Sequence, residues 1–427
     1  MLFEQNTTMH NLQGITLKLP RGIRLSVPTI ALAVALSIDP LVYLAGTARQ
    51  QVVLGVLRAI QYLAYAIMLV NLFSTKTYPR FLGYLAVVGV IILITLMLFP
   101  DNRPALLEVA PKMLWQTFYI MIGYHCISSN TTIKVLNFCS YIVLFYSMYS
   151  ILIVRSAGIL NEYITISSGF YFVSLCFLLS GKNRKLKYVL TILSILFMLA
   201  YGRRAHIVYF GITIVIIMLR NWFAQKSTQK MIGIIIMAIV VATISVLYNA
   251  IILGMADLLA NWGIQSRTMN MILSGEFLNL NGRDPLYELA WNMTLNKPWT
   301  GNGIGSTMME GYRIAWNPTN YIGCNTHNSI LEVGAEFGFV GMALFILFHI
   351  KVLFDAITMP MLPNEKTVFF ILFGTGVVSV LVGGSYLTAV QYALFIGYYM
   401  QLKRKQRKVA VHLEKAGRTY EHYKVGP

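Results

Sequence analysis

Charge is what this sequence has least of. Only 12% of its 427 residues are charged, and Asp and Glu together number 16. Ordinary soluble domains carry about 25% charged residues, so the polar surface of a soluble enzyme is missing. A disordered chain is excluded by the 57% hydrophobic content, and a mean hydropathy of +0.64 agrees. Cysteine is scarce too. Cys126, Cys139 and Cys176 fall in apolar runs and Cys324 in a polar stretch, so neither a disulfide framework nor a metal-ligand spacing emerges.

What is present is a succession of long apolar runs, each near the ~20 residues that cross a bilayer as a helix. Twelve candidate spans follow, at about 25–46, 52–73, 81–99, 113–128, 133–154, 163–180, 188–202, 205–222, 231–253, 327–350, 367–382 and 385–401. The expected fold class is an all-α polytopic membrane protein of about 12 transmembrane helices, with a long, partly helical outer loop between helices 9 and 10. The first run is too long for a signal-peptide core and lacks a small-residue cleavage site, so it counts as a span. With the N-terminus cytoplasmic, an even span count makes both termini cytoplasmic. Lys and Arg then lie on the inner side by more than two to one, as the positive-inside rule requires.

This divides the chain into an N-terminal transmembrane bundle (1–253), an extracytoplasmic loop (254–326), C-terminal transmembrane helices (327–402) and a basic cytoplasmic tail (403–427). The formal net charge of +18 reads as topology signal and contact with anionic membrane lipid rather than nucleic-acid binding. No internal repeat is evident, which disfavours a transporter of symmetric halves.

The loop has its own punctuation. Asp284 as cap, Pro285 at the first position and Leu286, Leu289, Ala290 and Met293 at helical spacing predict an amphipathic helix, with Arg283 at its entrance. Asn296 before Lys297-Pro298 should end it. Gly301-Asn302-Gly303-Ile304-Gly305-Ser306 reads as a flexible turn without the Lys or spacing of a phosphate loop. Asn325 or Thr326 is expected to cap the next helix and to put His327 in its first turn, with Asn328 and Glu332 on one face. Glu336 follows as a bundle-facing structural residue or a proton carrier. The run 188–202, fifteen residues, spans roughly 22 Å, which leaves Gly202-Arg203-Arg204 below the outer surface at headgroup depth.

Asp39 and Arg58 fall at similar depth on the first two helices, either as a buried ion pair or as lining of a lipid pyrophosphate path. His125, His206 and His349 lack ligand spacing; His206 is near enough to the Arg pair to assist there. Trp291, Trp299 and Trp316 suit sugar stacking or anchoring at the membrane surface. Arg155, Lys297 and Arg313 read as solvated loop charge. Gly334 and Gly338 form a small-xxx-small pair suited to helix packing within the chain.

Three fragments resemble the O-antigen polymerase and O-antigen ligase superfamily of bacterial membrane glycosyltransferases. They are Gly202-Arg203-Arg204 opening an apolar helix, Gly282-Arg283…Trp291…Pro298…Gly301-Asn302-Gly303, and His327-Asn328…Leu331-Glu332…Gly338…Gly341. Their order and the long loop match as well, so the resemblance covers roughly 188–350. It departs in its double Arg; Arg204 is favoured over Arg203 for the family role because the apolar helix follows it directly.

The resemblance implies a GT-C-like glycosyltransferase bundle in the bacterial cytoplasmic (inner) membrane, using no metal or cofactor. The donor would be an undecaprenyl-pyrophosphate-linked glycan and the acceptor a second glycan, with a chain-length regulator as a candidate partner and no nucleic acid. Arg204 and Arg283 would stabilise the leaving pyrophosphate and His327 would act as general base. Arg203, Asn328, Glu332 and Arg58 complete the expected substrate-binding set. Polymerisation of repeat units is favoured by the Trp291…Gly303 pattern and the Leu-Glu helix. A ligase transferring finished chains to lipid A-core is the alternative. A lipid-glycan flippase, which has no need of a long outer loop, is the third.

Overall fold

The computed structural model describes residues 16–18, 24–47, 50–74, 77–156, 163–180, 184–201, 204–225, 228–229, 250, 252–261, 266–276, 283–315 and 318–415. Nearly all of them are helical. A hairpin of two three-residue strands, Thr16–Lys18 and Arg24–Ser26, precedes the first helix. Helices dominate because an apolar chain in lipid must satisfy its own backbone hydrogen bonds.

The long helices begin with α1 (Val27–Thr47), α2 (Gln51–Ser74), α3 (Tyr78–Leu98) and α4 (Arg103–Cys126). They continue with α5 (Ser129–Ser156), α6 (Tyr163–Ser180), α7 (Arg184–Tyr201) and α8 (Arg204–Phe223). Four shorter helices follow: α9 (Ile252–Asn261), α10 (Arg267–Leu273), α11 (Asp284–Asn296) and α12 (Ser306–Ile314). Next is α13 (Ser329–Thr358), then α14 (Pro363–Leu372) running through a π-helical stretch, Phe373–Val378, into α15 (Ser379–Gly383), and finally α16 (Val390–Lys415).

Six helical stretches among the described residues are long and apolar enough to cross a membrane: Gln51–Ser74, Tyr78–Leu98, Ser129–Tyr149, Arg204–Phe223, Ser329–Thr358 and Pro363–Gly383. Each overlies an expected span. The protein is an α-helical polytopic membrane protein. The span expected at 231–253 lies almost wholly outside the described residues, as do Gly202 and Arg203.

Side-chain hydrogen bonds tie the helix ends into two layers. At one end, here the loop end, Tyr146 reaches Gln50 at 2.8 Å, Arg204 the Glu276 carbonyl at 2.7 Å and Ser329 the Gly384 carbonyl at 3.0 Å. At the other, the tail end, Arg220 caps α13 by donating to the Ala356 and Met359 carbonyls at 2.6 and 2.7 Å. Lys366 there reaches Asn221 at 3.0 Å. Between these layers α4 crosses α16 with Gly123 against the Leu394 carbonyl and Gly397 against the Ile120 carbonyl, so a methyl group on either would strike backbone. Small residues at such crossings bring helix backbones together in membranes.

One expected contact does not form. Asp39 accepts from Gln61 at 3.2 Å and Gln391 at 3.4 Å, while Arg58 is exposed on α2. Depth along the two axes had matched. Rotation about α2 decides the partner, and it is Gln61, not Arg58, that is buried.

Candidate functional site

The loop end is organised by a break in α13. Gly338 has φ 70° and ψ −171°, a left-handed conformation inside an otherwise continuous helix. A Cβ there would strike the Pro298 carbonyl, so this position requires glycine. The break releases backbone groups that a helix would keep for itself. Phe339 N–H donates to the Pro298 carbonyl at 2.7 Å, Asn302 N–H to the Ala335 carbonyl at 2.9 Å and Gly303 N–H to the Glu336 carbonyl at 3.0 Å.

The stretch 301–306 is therefore a docked wedge rather than the flexible turn its composition suggests. Gly301 and Gly303 to Ser306 are buried. The Asn302 side-chain amide adds 2.9 Å bonds to the Met293 and Ala335 carbonyls and so joins α11 to α13. Asn102, at the start of α4, donates to the Asn302 carbonyl at 2.7 Å from the other side.

Two carboxyls one turn apart, Glu332 and Glu336, point into this assembly with no exposed surface. Glu336 accepts from the Gly305 N–H at 2.8 Å, from the Thr307 hydroxyl and, through its other oxygen, from the Tyr386 hydroxyl. Glu332 Oε1 accepts from Ser385 at 2.7 Å, while its Oε2 is buried without a hydrogen-bond partner among the described residues. Buried carboxyls need such donors. Glu336 acts as a structural anchor for the wedge and for the 384–389 turn.

Just ahead of α13, His327 takes φ 52° and is the only non-glycine described residue with a positive φ. Left-handed backbone at such a residue costs of order 1–3 kcal/mol, and its neighbours hold it there. Asn325 Oδ1 accepts the His327 N–H at 2.8 Å, and the Thr326 hydroxyl donates to the Asn328 carbonyl at 3.0 Å. Asn325 and Thr326 are buried, His327 half-buried. The helix cap is neither Asn325 nor Thr326. It is Asn328, whose Oδ1 accepts the Ile330 and Leu331 N–H groups at 3.0 and 3.3 Å. His327 thus precedes the helix instead of riding in its first turn.

The arginines occupy the same end of the bundle. Arg204 opens α8 and holds the Glu276 carbonyl; beside it, Ser266 caps α10 and donates to the Leu199 carbonyl at 2.6 Å, tying α10 to the end of α7. Arg283 stands at the N-cap of α11 with Pro285 in the first turn, one residue earlier than the expected Asp284 cap. Asp284 instead lies where a carboxylate favours the helix dipole. Through Ala290 and Met293, α11 packs on Ala335 of α13. The helix start and the Asn296 end agree with the sequence punctuation.

Other basic and aromatic residues of this end have local partners. Lys297 lies over the Phe99 ring at 5.6 Å and Arg313 pairs with Glu310. Trp291 meets Phe339 edge-on at 5.8 Å, Trp299 is exposed, and Trp316 lies outside the described residues. His206 hydrogen-bonds Ser167 at 2.6 Å and His349 bridges the Phe345 carbonyl and the Tyr392 hydroxyl. These two histidines have structural partners.

Sequence reasoning missed Ser385, Tyr386, Asn102 and Glu108. Glu108 receives the Tyr321 and Ile322 N–H groups at 2.9 and 3.4 Å and pins the 318–324 turn to α4. Burial and this carboxylate push the Cys324 thiol up. The one available signal was the need of two membrane carboxyls for donors, which two hydroxyls next to Gly383-Gly384 could have met.

Residues 188–346 match the family model described as O-Antigen ligase. No curated protein and no solved structure matches the chain. The match runs from α7 through the broken part of α13 and stops short of Ser385 and Tyr386. The matched family is one of enzymes of O-antigen and glycan assembly that act on lipid-linked glycans in bacterial membranes. Residues 188–346, a stretch that includes Arg204, Arg283 and His327, are thus similar to the O-antigen polymerase and ligase superfamily, at a level common to both enzymes.

Proposed function

We propose that this protein polymerises undecaprenyl-pyrophosphate-linked repeat units into a surface polysaccharide, O-antigen or capsule, by inverting glycosyl transfer at the outer face of the cytoplasmic membrane. The observation that carries the reading is that Arg204, Arg283 and His327 all stand at the loop end, with the Arg283 helix joined through the wedge to the helix that follows His327. In this reading twelve spans place both termini in the cytoplasm, 254–326 outside and 403–427 as a cytoplasmic tail.

The acceptor hydroxyl attacks the anomeric carbon of the donor from the side opposite the pyrophosphate. The carbon–oxygen bond to the pyrophosphate breaks, and undecaprenyl pyrophosphate leaves with the bonding pair. Arg204 and Arg283 stabilise the charge that grows on its oxygens; guanidinium suits this task because it pairs bidentately with phosphate and stays charged. His327 takes the hydroxyl proton, the role a neutral imidazole can fill. Its held backbone fits a group that must be aimed. Asn328 fixes the helix start behind it and Glu332 fixes Ser385 on the adjoining turn. Arg203 and Arg58 are assigned to the donor's lipid pyrophosphate path, and no metal or cofactor is invoked.

The description of the matched family favours a second reading, ligation of finished chains to lipid A-core. Purified protein given only a lipid-linked repeat unit separates the two. Elongation without lipid A-core supports the polymerase. Transfer only when lipid A-core is added replaces it with the ligase, and no transfer under either condition overturns both.

A further inference from the structure

Away from the loop end, α3, α4 and α16 enclose a groove of about 330 Å³ toward the tail end. That is the lower end of the range for small-molecule sites. It is lined by Arg80, Tyr84, Tyr124, His125, Met400 and Arg404 among others, none of them acidic.

The two arginines are not used up by the protein. Neighbouring basic residues are: Lys403 and Lys351 pair with Asp355, Lys405 with Glu365, and Arg220 caps α13. Arg404 instead donates to the Tyr124 hydroxyl at 2.8 Å and lies 5.6 Å from that ring's centre. Arg80 is exposed, and among the described residues neither it nor Arg404 meets a carboxylate. His125 Nε2 is buried with no hydrogen-bond partner among the described residues. Two arginines and two tyrosines thus line one groove, with His125 packed against it. Such a donor set fits a phosphate.

The surroundings decide which phosphate. On the side of α3 that carries Arg80 and Tyr84, Val87, Ile91 and Ile94 are exposed, an apolar face running from the groove toward the bilayer middle. A soluble phosphate has no use for that face, whereas an acyl chain lies along it. We propose that this groove binds the headgroup of an anionic phospholipid of the tail-end leaflet, its phosphate between Arg80 and Arg404. Basic pockets between transmembrane helices hold anionic lipid headgroups in this way. The site is independent of the glycan chemistry assigned to the loop end.

The test is native mass spectrometry and thermal melting of the purified full chain with phosphatidylglycerol or phosphatidylethanolamine. Wild type should retain phosphatidylglycerol selectively and melt higher with it. Arg80→Gln and Arg404→Gln should each weaken binding about fivefold, the equivalent of ~1 kcal/mol per basic residue near the membrane surface. Arg407→Gln, outside the groove, should leave it unchanged. Competition with inorganic phosphate and pyrophosphate identifies the source: retention of lipid at millimolar phosphate supports the lipid site, and displacement overturns it in favour of a soluble anion. Equal retention of the two lipids by wild type overturns the proposal without recourse to any variant. Undiminished phosphatidylglycerol binding by the double arginine variant does the same.

Discussion

The Tyr386 hydroxyl donates to the Glu336 carboxyl across 50 residues of sequence. That bond joins the turn before α16 to the helix that follows His327. Glu336 also holds Gly305 and Thr307, so a single side chain fixes the wedge and the turn against α13. Tyr386→Phe removes the donor and keeps the ring. It should cost about 1–3 kcal/mol, the range for leaving a buried polar group unsatisfied. The thermal midpoint of the detergent-solubilised protein reads this, and an unchanged midpoint would show that Glu336 finds another donor.

Gly338→Ala should be more damaging than Gly334→Ala on the same helix. The new methyl meets the Pro298 carbonyl and the backbone is held at φ 70°. That φ/ψ combination, essentially confined to glycine, costs an alanine about 1–3 kcal/mol, and the collision adds to it. Gly334→Ala, where the nearest atoms are side-chain ends of Met342 and Thr294, is the control. If the two variants melt together, the break is not rigid.

His327 allows chemistry and backbone strain to be separated. Both His327→Ala and His327→Gly should abolish glycan transfer, since neither carries a base. Only the glycine accepts φ 52° freely, so His327→Gly should be the more stable of the two by about 1 kcal/mol. Transfer by either variant in a reconstituted assay would remove His327 as the base.

For the arginines, Arg204→Ala and Arg283→Ala should each lower transfer by about 10²–10³-fold, the scale for removing one electrostatic stabiliser of a transition state. Lysine should restore part of the loss at either position, because it keeps charge but not the bidentate fork. Lys297→Ala, over the Phe99 ring, should leave turnover near wild type. Equal losses at Lys297 and Arg283 would mean that general loop charge, not placement, matters.

The parts of this structure that local chemistry dictates could be read in advance. Apolar runs marked the six helical stretches long enough to cross a membrane, and Pro285 with Asn296-Lys297-Pro298 marked the ends of α11 to within a residue. What escaped was set by distant partners. Gly301-Asn302-Gly303 looks flexible because nothing nearby in sequence shows that Gly338 will free carbonyls to receive it. Asp39 and Arg58 matched in depth, but helix rotation, invisible from one chain's spacing, turned Gln61 inward instead. Asn328 displaced Asn325 and Thr326 as the cap because those two hold the turn around His327. Ser385 and Tyr386 carried no motif at all; they matter through the carboxyls they serve.

The discontinuity at Gly338 also decides how this protein can be recombined with its relatives. Residues 329–337 are tied to 298–307 rather than simply continuing the lower part of their own helix. A chimera with junctions before Arg283 and at Gly338 would move a self-consistent cassette, which takes Asn102, Glu108 and the Gly384-Ser385-Tyr386 turn from its host. A junction at the apparent helix start, Ser329, would cut that cassette in two.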